Sequence, residues 1–369
     1  MKLEKTVKII FTLLFVSTFN LTGFAMDNKT EHKLVIAHRG ASGYLPEHSL
    51  ASKAMAYAMG ADYIEQDVVM TKDNHLVILH DPYLDRVTNV MEVFPDRARD
   101  MLGEKRWLAI DFTLSEIKSL SMTEAFSIDE KSKALKANYP SRFPLFKSSF
   151  SVSTLAEEIE MIQGLNHSTG NNIGVYVEIK APWFHLHQGK DISKETLKLL
   201  KSYGYRNQKD KAFVQCFDPD ETSRIGKKLM PELEMDLRLV QLIAETDWNE
   251  TMRFVDGKWT PYSYDWMFKT GAMKKVAEYA DAIGPWKPML ISDESTKDKL
   301  IISEMTAEAQ TLGMKVHPYT FRLDDGRIPQ YADNFEHMLD LFLYKVGVDG
   351  VFTDFPDRAV QFVRSREQN

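Results

Sequence analysis

Nine short apolar runs rich in β-branched residues punctuate the chain: KLVIA (33–37), ADYIEQDVVM (61–70), LVILHD (76–81), IGVYVEIK (173–180), AFVQCF (212–217), LRLVQLI (237–243), ADAIGPW (280–286), MKVHPYT (314–320) and GVFTDF (350–355). Between most of them the apolar positions recur with helical period, as in STLAEEIEMIQGL, ISKETLKLLKSYG, GAMKKVAEYA and TAEAQTLG. Strand–helix alternation at this rhythm predicts a parallel sheet covered by helices. Eight repeats favour a closed (β/α)8 TIM barrel over an open doubly wound sheet. No glycine fingerprint of the dinucleotide-binding type follows the first strand, which weakens the open-sheet alternative.

Two places break the rhythm. The second and third runs are separated only by TKDNH, too short for a parallel crossover, so the reading is a hairpin turning at Asp73–Asn74. A two-residue turn or a four-residue loop there pairs Thr71 with Leu76, and counting down the ladder sets Asp67 opposite His80. After the third strand, residues 83–151 carry no strand–helix repeat and read as a small inserted subdomain over the barrel mouth.

Of the 369 residues 44% are hydrophobic and 27% charged, a globular composition that argues against disorder. Residues 1–25 stand apart. Lys2, Lys5 and Lys8 precede the apolar IIFTLLFVSTFNL and the small-residue end GFA, the pattern of a cleavable signal with cleavage expected after Ala25. Residues 26–369 are then the exported barrel, periplasmic or, alternatively, secreted. The single cysteine, Cys216, permits no internal disulfide, and no cysteine near the cleavage site could carry a lipid, so no stable membrane anchor is expected. Net charge is −7, and losing Lys2, Lys5, Lys8 and Glu4 takes it to −9. Such a field repels nucleic acid and anionic lipid, leaving a small molecule as the expected partner. An anionic one would need local cations.

Glu65 and Asp67 lie two apart on a strand and leave the same face. Salt bridges to outer helices are the plainer explanation. Near the C-terminal rim of a barrel, however, the inward face belongs to an active site. Glu178 adds a third carboxylate at another strand end, with Lys180 on the same face. Three hard oxygen donors suit one divalent ion, Ca²⁺ or Mg²⁺, rather than zinc. Lys180 either holds a phosphate oxygen or neutralises Glu178. His38 and His80 end two strands and suit an acid–base pair, and Arg39 offers planar donors for a phosphate. Gly40 and Gly43 would let the following backbone approach an anion. His185 and His187 lack a third zinc ligand and read as part of a mobile loop, and WTPYSYDWMF reads as loop packing. Phe217, Trp286 and Tyr319 sit near strand ends as pocket walls.

Taken in order, AHRGASGYLPEHSL, YIEQDVVMTKDNHLVILHD, VYVEIKAPWF, VQCFD, HPYT and GVFTDFPD resemble the exported, periplasmic type of bacterial glycerophosphodiester phosphodiesterase, from about Lys33 to the end. The resemblance implies a phospholipase-C-like (β/α)8 barrel and one divalent metal, calcium in the exported type. It implies hydrolysis of glycerophosphodiesters such as glycerophosphocholine and glycerophosphoethanolamine to sn-glycerol 3-phosphate and an alcohol, by way of a cyclic phosphate. Carried over, the metal falls on Glu65, Asp67 and Glu178, catalysis on His38 and His80, and phosphate contacts on Arg39 and Lys180. Glu47 and Phe217 are expected as further substrate contacts. Where many relatives have Pro-Glu-Asn this chain has Pro46-Glu47-His48, which weakens the case for Glu47. The oligomeric state stays open, with a homodimer as one option. The competing readings are a phospholipase acting on intact lipid and an exported solute-binding protein that captures phosphodiesters without turnover.

Overall fold

The computed structural model describes residues 32–129 and 131–368; the expected signal and its cleavage site fall outside them. All nine apolar runs form strands. Eight are parallel and build the barrel: β1 (Leu34–Ala37), β2 (Tyr63–Met70), β3 (Gly174–Ile179), β4 (Ala212–Cys216), β5 (Arg238–Ile243), β6 (Ala282–Pro285), β7 (Lys315–Val316) and β8 (Gly350–Thr353). They pair in sequence order from β1 to β7, and β8 returns beside β1. The ring closes through the chain after β7: the Asp349 and Phe352 amides donate to the Val316 and Pro318 carbonyls at 3.0 and 3.1 Å.

Strand alternation gives the barrel two faces. The outward residues Val68, Val175, Val177 and Val214 pack under the surrounding helices. Inward, Ile36, Tyr63, Tyr176, Phe213, Val240, Ala282 and Phe352 form a layer of their own, with Tyr176 and Phe213 stacked at 4.6 Å between ring centroids. Two residues further along the same strands, that inward face carries His38, Glu65, Glu178, Gln215 and, just past β8, Asp354. The aromatic layer closes the barrel floor, so polar groups above it can only face the C-terminal mouth.

The hairpin exists, but its register differs by one residue from expectation. The strand Leu76–Ile78 pairs antiparallel with β2 as Met70↔Leu76, Val69↔Val77 and Val68↔Ile78. The loop therefore has three residues, closed by the Thr71 amide on the His75 carbonyl at 2.9 Å, with Asn74 in the left-handed region at φ 67°. A turn ending in a left-handed residue is the usual three-residue solution, and asparagine tolerates that conformation. Asp67 consequently faces Leu79, whose amide donates to the Asp67 carbonyl at 2.9 Å, not His80.

Residues 83–151 carry only short elements, including the antiparallel pairs Arg99–Met101 with Glu104–Arg106 and Phe126–Ile128 with Leu135–Ala137. Their apolar cluster (Leu84, Val87, Val90, Phe112, Ile117) runs on into Val69 and Val77 of the hairpin. His185 and His187 lie in a short helix, Pro182–His187, rather than a loop. His185 is buried and satisfied: Nδ1 meets the Ala181 carbonyl at 3.0 Å, and Nε2 accepts from the Met70 amide at 3.1 Å.

Candidate active site

Parallel pairing of β2 with β3 sets Asp67 level with Glu178, and pairing of β3 with β4 sets Glu178 level with Gln215. With Glu65 one pleat below, the three carboxylates converge until one oxygen of each lies within 4.8 Å of the others. All three are buried. Burial first, and then the neighbouring Asp67 charge, push the Glu65 carboxyl up. Burial likewise raises Glu178 against the opposing pull of Lys180. Asp67 goes the other way: burial opposes its charge, but His48 and Lys180 outweigh it. Asp67 Oδ1 is buried with no hydrogen-bond partner among the described residues. Three acids this close, one with an unsatisfied oxygen, could hold a divalent cation, and their oxygen-only donor set fits a hard one.

The groups around the triad hold it in place. The Arg39 amide donates to Glu65 Oε2 at 2.8 Å and Gln215 Nε2 to Oε1 at 3.1 Å. His48 Nε2 donates to Asp67 Oδ2 at 2.8 Å. Lys180 Nζ lies 2.7 Å from Glu178 Oε1 and 3.5 Å from Glu250. It therefore neutralises Glu178 at the triad's edge, and it lines a neighbouring recess together with His80 and Glu250.

His38 ends β1 with Nδ1 2.6 Å from Asp354 Oδ1. A carboxylate only accepts, so Nδ1 carries the proton and Nε2, 3.9 Å from Glu65 Oε2, is the open nitrogen. Burial, with Arg39 beside it, lowers the His38 pKa to about 4 despite Asp354. Asp354 is itself held by Arg142 Nη2 at 2.6 Å and Arg322 Nε at 2.8 Å. His80 repeats the arrangement, with Nδ1 2.9 Å from Asp81 Oδ1 and its pKa lowered by burial and then Arg39. Although it does not face Asp67 across the hairpin, the chain leaves the strand after Ile78 and carries His80 to the cavity.

A cavity of about 210 Å³ is lined by His38, Arg39, Glu65, His80, Glu178 and Phe217, together with Trp286 and Tyr319. It thus gathers most of the sequence-expected site, and Phe217 also lies 5.4 Å from Lys180 Nζ. A second recess of about 520 Å³ shares His38, Arg39 and His80 and is bounded by Asn138, Tyr139 and Arg142 from the irregular segment. Glu47 lines that recess, but Arg39 Nη1 at 2.9 Å and the guanidinium of Arg86 occupy its carboxylate. Burial opposes the Glu47 charge, and the two arginines nonetheless hold its pKa below the ordinary range. Gly40 and Gly43 are also required by packing. A Cβ on Gly40, at φ +89°, would meet Ser52 Oγ at 2.5 Å, and one on Gly43 would meet the Phe355 ring at 2.4 Å.

Sequence reasoning missed Asp354, Gln215 and Glu250. The first two sit on or just past barrel strands, on the inward face, and that parity is the signal that could have found them.

A barrel with acids and histidines at the C-terminal strand ends, flanked by arginine and lysine, defines a phosphate-ester enzyme. Comparison makes this specific. Residues 38–358 match the glycerophosphoryl diester phosphodiesterase family, and the chain belongs to it. It is 50% identical to a glycerophosphodiester phosphodiesterase of Haemophilus influenzae over 334 residues, covering 90% of each chain. It is 42% identical to one from Treponema pallidum over 333 residues, covering 90% of this chain and 92% of the relative. Among solved structures, an Oleispira antarctica phosphodiesterase in complex with the product sn-glycerol-3-phosphate shares the fold, with TM-score 0.56 and 20% identity over 90% of this chain and 97% of that one. The protein is a phosphoric diester hydrolase, which removes the solute-binder reading.

Proposed function

We propose that the protein hydrolyses glycerophosphodiesters such as glycerophosphocholine and glycerophosphoethanolamine to sn-glycerol 3-phosphate and an alcohol, with one divalent metal, calcium in use. The observation that carries this is a single cavity lined by both Nδ1-anchored histidines and two of the three converging acids. Glu65, Asp67 and Glu178 would hold the metal, which when bound polarises a phosphoryl oxygen. Arg39 and Lys180 offset the remaining phosphate charge in a site where burial strengthens each contact. His38 and His80 each keep Nδ1 on a carboxylate, so each exchanges its proton at Nε2. One takes the proton of the attacking hydroxyl and the other returns one to the leaving alcohol. The substrate's own glycerol 2-hydroxyl is the nucleophile in this reading, and water then opens the cyclic phosphate. Phe217 with Trp286 and Tyr319 forms the apolar wall for the glycerol carbons. Glu47 acts by fixing Arg39 and Arg86.

The signal pattern at residues 1–25 supports export to the periplasm as residues 26–369, which N-terminal sequencing of protein recovered from that compartment tests. Release of sn-glycerol 3-phosphate from glycerophosphocholine tests the chemistry. Wild type should turn over, while His38→Ala and His80→Ala should each fall by ~10²–10⁴-fold. A variant within about threefold of wild type removes that histidine from the mechanism, given the usual size of such losses. Equal cleavage of a diester lacking the neighbouring hydroxyl removes the cyclic route.

A further inference from the structure

On the loops following β6 and β7, Lys287 and Arg327 have no place in this scheme, and Arg322 uses only its Nε there, on Asp354. Lys287 is partly buried. Its ammonium reaches only Met338 Sδ, at 3.6 Å, and the Phe321 ring, at 5.2 Å from the centroid; no carboxylate pairs with it among the described residues. Arg327 also has no carboxylate partner among the described residues and lies 5.5 Å from the Tyr139 ring. Arg322 gives Nε to Asp354, while its two terminal nitrogens make no hydrogen bond among the described residues.

All three line one recess of about 230 Å³, where Asp293 is the sole carboxylate among the lining residues. Burial, and then Arg322 alongside, lowers the Lys287 pKa to about 8. Even a partly buried ammonium with no paired carboxylate carries a desolvation cost, and an arriving anion would relieve it. The recess is not remote. Trp286, Thr320 and Arg322 line it and also the cavity of His38 and Glu65, and Arg327 joins it to the larger recess.

We propose that Lys287, Arg322 and Arg327 form a subsite beside the reaction centre for a second anionic group, a carboxylate or phosphate monoester on the alcohol portion of the diester. This rests on the phosphodiesterase reading and narrows its substrate class. The subsite would select glycerophosphodiesters with an acidic alcohol over those with a purely cationic one. Three cations converging on one anion supply both charge and direction.

Glycerophosphoserine and glycerophosphoethanolamine differ by one carboxylate and give the test. Wild type should show a KM about five- to tenfold lower for the serine diester, the size of one or two partly exposed charge pairs. Lys287→Gln and Arg327→Gln should each bring that ratio toward one while leaving kcat on the ethanolamine diester within about twofold. Neither residue touches the triad or the histidines, and Arg327 is exposed, so at least that variant should fold. Equal KM values in wild type, or a ratio unchanged in both variants, overturns the proposal.

An independent arm uses no turnover. Acylation of Lys287 by acetic anhydride at pH 8, read by peptide mass spectrometry, should slow when inorganic phosphate is present, and Arg327→Gln should abolish the slowing. Absence of protection overturns the subsite. Protection without a KM preference assigns it to free phosphate and overturns the substrate assignment. If neither diester is cleaved the catalytic reading fails, while the labelling still decides whether the anion subsite exists.

Discussion

At the scale of single residues, neighbouring charges and hydrogen bonds hold each functional group in one protonation state. Asp354 is the clearest case. It fixes the Nδ1 proton of His38 and is fixed in turn by Arg142 and Arg322. Asp354→Asn would present an amide donor as readily as an acceptor to Nδ1 and lose the charge that supports an imidazolium. We expect kcat to fall by about 10²-fold or more with a smaller change in KM. Steady-state kinetics beside a melting curve separates this from loss of fold, because two arginines also lose a buried partner. The candidate site was legible in the sequence where the signal was local: Glu65 with Asp67, and Glu178 with Lys180, reveal shared faces by spacing alone. Asp354 was not, because its partner His38 is 316 positions away and nothing near either residue points to the other. His48 was visible only as a departure from a motif. Its role, a hydrogen bond to Asp67 from a residue at φ 62°, depends on how the loop after β1 folds back.

At the scale of elements, β2 is held from behind by a buried ion pair. Lys53, on the helix Leu50–Ala58, is fully buried, with Nζ 3.0 Å from Glu158 and donating to the Glu65 carbonyl. Glu158 comes from the helix Leu155–Thr169, so the pair ties two helices to the strand that bears Glu65 and Asp67. Lys53→Met would strand Glu158 without a cation. We expect a loss of about 3–5 kcal/mol in chemical denaturation. Lys53→Met with Glu158→Leu should recover much of it, since well-packed apolar pairs often replace buried ions at little cost. The elements themselves were largely readable, because β-branched runs and helical periodicity are local properties. The hairpin register was not. Two- and four-residue loops both predict one pairing, and only the left-handed Asn74 selects the three-residue turn that moves every partner by one.

At the scale of the whole molecule, barrel closure ties the beginning of the described chain to its end. His32 Nε2 meets Asp62 at 3.0 Å, and its Nδ1 meets Glu367 on the C-terminal helix at 2.5 Å. The hydrogen bond to Asp62 outweighs burial and, with Glu367, raises the His32 pKa to about 9 from its usual 6.5. A raised folded-state pKa contributes stability that is complete below about pH 6.5 and is lost as pH rises through 9. The melting temperature of wild type relative to His32→Gln should therefore narrow across that interval. A gap independent of pH would contradict the linkage.

The eightfold rhythm made the barrel legible, whereas the course of residues 83–151 was not, since that segment follows no period and its apolar cluster borrows Val69 and Val77 from the hairpin. Under the proposed function the three buried acids need a cation before the barrel mouth can act. The most direct test of that need follows sn-glycerol 3-phosphate release from glycerophosphocholine by chelator-treated protein, with calcium, magnesium or neither restored. The account predicts no turnover without metal and recovery with calcium above magnesium. Full turnover by metal-free protein would contradict it.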